Sequence, residues 1–146
     1  CFPKDTRALV HIADEAGYDF ALLRSVIETN ETQFARVVSR IGELTPNGLE
    51  GASITVLGLT FKAGTDDLRE SPALEIIDRL VAAGATVKGY DPTVIDAVAA
   101  SWDVAGDPYS ACEGSDVVAV LTEWDEFKWL DMDKVRELMA ERHLAL

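Results

Sequence analysis

The sequence predicts an α/β chain: a helical segment over residues 1–47, followed by a parallel, doubly wound sheet over residues 48–146. Three observations predict it. Up to residue 43 the apolar residues recur at helical spacing. Thr45-Pro-Asn-Gly48 then breaks that pattern, and we place a domain boundary there. From Glu50 onward short apolar runs alternate with amphipathic segments, the order of strands joined by crossover helices.

In chain order, Pro3 disfavours helix in the residue before it. Asp5 or Thr6 is placed to cap a first helix with apolar positions Leu9, Val10, Ile12, Ala13 and Ala16, and Gly17 suits its C′ position. A second helix spans Phe20–Glu43, with Leu22, Leu23, Val26, Ile27, Phe34, Val37, Val38 and Ile41 on one face. It is long for one domain and suits a connector or dimerisation strut. Glu28-Thr-Asn-Glu-Thr-Gln33 interrupts its stripe; this is either a solvated patch or a polar stretch facing a partner helix or a site.

Ser53–Leu59 is the first predicted strand, Leu74–Gly84 an amphipathic helix with a glycine C-cap, and Ala85–Tyr90 the second strand, running into Asp91-Pro92. Thr93–Ala100 and Asp107–Cys112 read as short helices. Asp116–Thr122 is a third strand, apolar enough to be buried on both faces. Glu123–Leu130 is aromatic-rich and irregular, Asp133–Glu141 a helix, and His143–Leu146 the start of a fourth strand. Ligands of such sheets lie beyond the carboxyl ends of the strands, where Lys62, Asp91 and Thr122-Glu-Trp124 fall.

The most informative stretch is Gly58-Leu-Thr-Phe-Lys-Ala-Gly-Thr-Asp-Asp-Leu-Arg-Glu-Ser-Pro72. Gly58 and Gly64 allow a sharp turn and close approach to a ligand. Ser71 suits an N-cap and Pro72 a first helical position, so a helix N-terminus faces back toward the loop. With Lys62 and Arg69 this makes a site for an anion, most naturally a phosphate; an ordinary surface loop with two solvated cations is the other reading. Asp91 invites a ribose-binding role. Its distance from Gly58 exceeds the ~20 residues of the dinucleotide fingerprint, so it reads as a turn residue with Pro92, and a nicotinamide cofactor is not expected to be held mainly here.

Composition narrows the partners. Thirteen basic residues face 26 acidic ones, for a net charge of −13, which repels nucleic acid and anionic membranes. Only five of the basic residues are lysine, and the acid is spread along the chain; such a surface suits high salt, where self-repulsion is screened. No apolar run approaches the ~18 residues of a membrane span, and residues 1–20 lack a signal-peptide pattern. Two cysteines make no disulfide framework, so a cytoplasmic protein with free thiols is expected. No His/Cys spacing suits a metal. Cys112, His11 and His143 read as core or surface filler, and Trp102, Trp124 and Trp129 as packing. Residue 1 is Cys rather than Met, so a fragment or processed product is expected.

Cys1-Phe-Pro-Lys-Asp-Thr-Arg-Ala-Leu9, the Gly58–Pro72 stretch, Gly84-Ala-Thr-Val87, Tyr90-Asp-Pro92 and Thr122-Glu-Trp124 together resemble the nucleotide-sugar 6-dehydrogenases that act on UDP-glucose or GDP-mannose. The resemblance covers essentially the whole chain, in order. It implies a catalytic-cysteine segment and helical connector over 1–47, a Rossmann-like nucleotide-sugar-binding domain over 48–146, and a separate N-terminal NAD-binding domain that is not in this sequence.

The implied reaction takes a primary alcohol to a carboxylate in two NAD-linked oxidations, held as a thiohemiacetal and then a thioester. By resemblance Cys1 is the nucleophile and Asp5 the carboxylate that positions water. Lys62, with Phe2 and Phe61, binds the nucleotide sugar, Lys4 and Arg69 contact NAD, and Asn30 and Gln33 are polar positions of the connector. UDP-glucose is the implied substrate and a homodimer through the connector the implied assembly. A GDP-mannose or other UDP-sugar enzyme, or a non-catalytic nucleotide-sugar-binding or dimerisation module, remains open.

Overall fold

A computed structural model describes residues 2–94 and 101–140, with Phe2 described for its backbone only. The predicted helix over Thr93–Ala100 falls mostly, and the strand over His143–Leu146 wholly, outside the described residues, as does Cys1.

Two helices come first, α1 (Phe2–Glu15) and α2 (Ala21–Gly42). They fold back on each other as a hairpin, since Arg24 pairs with Asp14 near the turn and Arg7 with Glu31 further along. α1 starts earlier than the caps at Asp5 and Thr6 suggest. The restriction imposed by Pro3 acts on the residue before it, whereas proline itself fits the first turn, where its missing N–H has no intrahelical partner anyway. Thr6 instead donates its hydroxyl to the Pro3 carbonyl at 3.0 Å. At the other end Gly17 sits at φ +69°; its N–H reaches Asp14 O at 3.0 Å and the Tyr18 N–H reaches Ala13 O at 2.8 Å, the paired closure of a Schellman cap.

The second unit is a four-stranded parallel sheet in the order β3-β2-β1-β4, formed by β1 (Ser53–Leu57), β2 (Thr86–Tyr90), β3 (Asp103–Val104) and β4 (Val117–Val120). Ile54 lies level with Val87 and Val117, and Leu57 with Tyr90 and Val120. Between the strands run α3 (Pro72–Ala82) and α4 (Pro108–Cys112); after β4 come α5 (Asp125–Lys128) and α6 (Met132–Leu138). α5 is a short helix where an irregular stretch was expected. β3 has no counterpart in the sequence pattern, because two residues cannot show an alternation.

Strand alternation assigns the two faces. Ile54, Val56, Val87, Val117 and Ala119 join Ile76, Ile77 and Leu80 of α3 and Ile41 of α2 in one cluster. Leu57 and Val118 join Ala111 and Cys112 of α4, Val135 of α6 and Phe127 of α5 in the other. Both faces are covered, hence the unbroken apolar runs. Phe34, Val37 and Val38 of α2 pack on the first cluster, so apolar packing crosses the turn at Thr45–Gly48.

Candidate functional site in the cleft between the first helix and the Gly58–Pro72 loop

The strand order places the topological switch between β1 and β4, and the chain beyond their carboxyl ends forms the site. At that point Gly58 (φ +91°) lies against Thr122: an added Cβ would stand 2.5 Å from Thr122 Cβ and 2.8 Å from its backbone nitrogen. The glycine is required by this strand-to-strand approach; the close approach to a ligand expected of it is taken by protein.

Asp91 fastens the same edge. Its side chain is 1% exposed and takes six hydrogen bonds. Oδ2 accepts from Leu59 N (2.9 Å), Thr60 N (3.1 Å), Thr60 Oγ1 (3.0 Å) and Trp124 Nε1 (3.0 Å). Oδ1 accepts from Thr93 N (3.0 Å) and Thr93 Oγ1 (2.8 Å). Burial pushes the carboxyl pKa up, but the bonds from Thr93, Leu59 and Thr60 outweigh it and hold the group below its ordinary value. Asp91 is thus an ionised clasp across the ends of β1, β2 and the segment after β4. It lies in a turn, as expected, but its partners come from residues 59, 60 and 124, which local spacing does not reveal.

From this anchored edge the loop projects toward the first turn of α1. Phe61 N donates to Asp67 O at 2.8 Å, drawing the loop closed, with Gly64 at φ +76° in its bend. Lys4 and Asp5 of α1 face Phe61, Lys62, Thr65, Asp67, Arg69 and Glu70 across a cleft of about 520 Å³. Five of the seven residues singled out in the sequence therefore share one cleft; the remaining two, Cys1 and Phe2, precede Pro3 directly but are not described at side-chain level. Phe61 is 40% exposed there, an aromatic surface open to a ligand. The cleft carries three basic and three acidic side chains in a chain whose totals are 13 against 26, so it is relatively rich in cations.

The cations are not equivalent. Arg69 forks onto Asp67, with Nε 2.9 Å from Oδ1 and Nη2 2.8 Å from Oδ2, and its backbone N–H reaches Oδ1 at 3.0 Å. This holds the Asp67 carboxyl well below the usual range and raises the Arg69 guanidinium further. The Lys62 carbonyl accepts from Thr60 Oγ1 at 3.3 Å, while its ammonium makes no hydrogen bond or ion pair with a described residue and is available to an anion. The helix N-terminus expected to face the loop is closed instead. Ser71 Oγ caps Ala73 N at 3.2 Å and donates to Leu59 O at 2.7 Å, and both residues are buried. An anion here would meet side-chain cations rather than the α3 dipole.

The profile of the UDP binding domain of the UDP-glucose/GDP-mannose dehydrogenase family matches residues 55–145, and that of the family's central domain matches residues 1–32. The chain belongs to this family. It is 44% identical over 97% of its length to the UDP-glucose 6-dehydrogenase TuaD of Bacillus subtilis, covering 31% of that protein. It is 38% identical over 95% of its length to a UDP-glucose 6-dehydrogenase of Pseudomonas aeruginosa, covering 33% of it. A UDP-glucose dehydrogenase structure from the hyperthermophilic archaeon Pyrobaculum islandicum superposes with a TM-score of 0.84 at 30% identity, over 99% of this chain and 37% of that one. A ternary complex of GDP-mannose dehydrogenase from Pseudomonas aeruginosa gives 0.77 at 27% identity, over 99% and 34%. The chain spans about a third of the length of these relatives.

Set beside its family, the remaining groups take ordinary places. Cys112 is buried and its thiol is pushed up to about 11 by burial and by Asp107. His11 is exposed and lies 3.5 Å from Glu15. Trp102 and Trp124 pack as expected, whereas Trp129 is 85% exposed. Among the described residues no cluster of His, Cys, Asp and Glu could hold a metal, and no helix is long and apolar enough to cross a membrane. A larger groove of about 690 Å³ runs between the end of α2 and β4, whose outer edge is unpaired among the described residues; Gln33 lines it, the residues of the cleft do not.

Proposed function

We propose that the chain is the catalytic-cysteine segment, connector and nucleotide-binding domain of an NAD-dependent nucleotide-sugar 6-dehydrogenase that oxidises UDP-glucose to UDP-glucuronate. The observation that carries this reading is the cleft in which the start of α1 meets the Gly58–Pro72 loop, with Lys4, Asp5, Phe61, Lys62 and Arg69 on its walls. The names of the relatives support the choice of UDP-glucose.

In this reading Lys62 takes a charged group of the nucleotide sugar, and Phe61 and Phe2 cover the sugar and base. Cys1 adds to the C6 aldehyde as a thiohemiacetal, which is oxidised to a thioester; Asp5 orients the water that releases the carboxylate. NAD supplies the hydride acceptor when bound. The residues fit one side of such a cofactor: Lys4 and Arg69 offer two cations to a pyrophosphate, while no glycine-rich dinucleotide turn is present in residues 1–146. Arg69 is already oriented by Asp67 and would meet the anion without reorganising. The 146-residue chain alone is therefore expected to produce no NADH from UDP-glucose and NAD.

Assembly as a homodimer through the connector is part of the proposal. Leu9, Ile12 and Leu22 are exposed on the helical pair, and Leu22, Ser25, Val26 and Thr29 line an apolar groove of about 480 Å³. Cytoplasmic action is also part of the proposal.

The test is the melting temperature of the chain in molar salt with millimolar UDP or GDP. A ligand that binds only the folded form raises it by mass action. A rise with UDP alone supports the proposal, a rise with GDP alone replaces the substrate, and no rise with either counts against a formed nucleotide site.

A further inference from the structure

The polar run Glu28–Gln33 interrupts the apolar stripe of α2, and the proposed reaction gives it no task. Thr29 and Thr32 behave as a solvated patch would, donating back to their own helix at Ser25 O and Glu28 O. Glu31 does not. Its Oε1 lies 3.1 Å from Arg7 Nη2 on α1, and its Oε2 lies 2.7 Å from Arg79 Nη2 on α3. Arg79 is held in turn by Glu75 at 2.7 Å and stands over the Phe34 ring, 5.4 Å from its centroid. One carboxylate on α2 thus serves guanidinium groups from two other helices.

Apolar packing does little for α1. Among its described side chains only Thr6, Val10 and Ala13 are buried. A gap of about 210 Å³, bordered by Pro3, Arg7, Glu31, Leu68 and Leu74, separates its first turns from α3. Where apolar contact is thin, directional contacts set orientation. An exposed ion pair stabilises little alone, but a network constrains geometry better than its members do separately. Arg24–Asp14 ties the turn end of the hairpin; Arg7–Glu31 ties the end that carries Lys4 and Asp5.

We propose that Glu31 is the positioning residue that sets the first turns of α1, and with them Lys4 and Asp5, against the Gly58–Pro72 loop. The catalytic meaning of that placement rests on the function proposed above; the placement itself does not.

Amide hydrogen exchange of the 146-residue chain tests it. Glu31→Lys faces Arg7 and Arg79 with a third cation and is expected to speed exchange of the α1 amides about tenfold, leaving β1 and β2 within about twofold of wild type. Adding Arg7→Glu restores an α1–α2 pair of reversed sign and is expected to return α1 to within about threefold. Glu31→Gln is expected to give a smaller rise in α1, and serves if Glu31→Lys does not fold. Unchanged α1 exchange, an equal rise in β1 and β2, or no recovery in the double variant overturns the proposal. In the longer protein, Glu31→Gln is expected to lower kcat about tenfold with KM for the nucleotide sugar within about threefold, because the α1 groups move and the loop stays. A rise in KM alone overturns it. A wild-type protein inactive on nucleotide sugars would defeat the functional reading, and exchange would still decide the placement.

Discussion

The helical pair and the sheet unit use comparable apolar sequence to different ends. Of the residues of α2 only Ile41 is buried, whereas β1 buries Ile54, Thr55, Val56 and Leu57, and α3 buries Ala73, Ile76, Ile77 and Leu80. Leu9, Ile12, Tyr18 and Leu22, most of the large exposed apolar side chains among the described residues, belong to the helical pair. A sheet covered on both faces completes its own core. A two-helix hairpin has one apolar seam to share and leaves the rest of each stripe waiting for a partner. The difference teaches that periodicity reveals an apolar face without saying what covers it.

The largest effect expected from breaking this contrast is in the sheet unit. Ile77→Ala should lower unfolding stability by about 2–5 kcal/mol, while Leu22→Ala, at a side chain 74% exposed, should change it by less than about 0.5 kcal/mol. Denaturant titration decides, and equal losses would erase the distinction.

Next comes the Asp91 clasp. Its carboxyl is held low in the folded chain, so the stability it contributes is complete above the unfolded value of about 4 and is lost as pH falls through the lower folded value. Asp91→Asn should cost roughly 2 kcal/mol at pH 7, and the gap from wild type should narrow below pH 4. A gap that stayed constant from pH 7 to pH 3 would remove ionisation from the account.

Salt acts more gently. With a net charge of −13, raising salt from low to molar should lift the melting temperature by several degrees as self-repulsion is screened. A flat response would mean the spread acid is already neutralised by its ion pairs. The smallest expected change in fold stability comes from Leu22→Glu, which under the proposed homodimer should shift two-chain assemblies to single chains in light scattering without altering the melting of the sheet unit.

β1, β2, β4, the long second helix and the Ser71 cap were legible because each rests on local spacing or a single capping residue. α1 extended one turn beyond its expected start because Pro3 acts differently on its predecessor and on its own position. β3 and the role of Asp91 were illegible for another reason. Asp103–Val104 exists only by pairing with Lys88 and Gly89, and Asp91 matters through donors some thirty residues away. The usable signal was that Gly58-Leu-Thr60 and Asp91 follow two strands joined by a single crossover helix, an order that makes neighbours of the strands and brings their ends together. Spacing brought Lys4, Asp5, Phe61, Lys62 and Arg69 to notice, and they share one cleft, but the clasp of Asp67 on Arg69 and the closed N-terminus of α3 depend on three-dimensional contacts that spacing does not encode.

Cys112 gives the chain an internal clock. Its thiol is buried and remains protonated well above neutral pH, so an alkylating reagent reaches it only when the α4 side of the sheet opens. The sequence holds just one other cysteine, Cys1. Mass spectrometry of alkylated chain therefore sorts every adduct to one of two addresses, residue 112 timing the opening of the fold and residue 1 reporting the reactivity of the proposed nucleophile in the same tube.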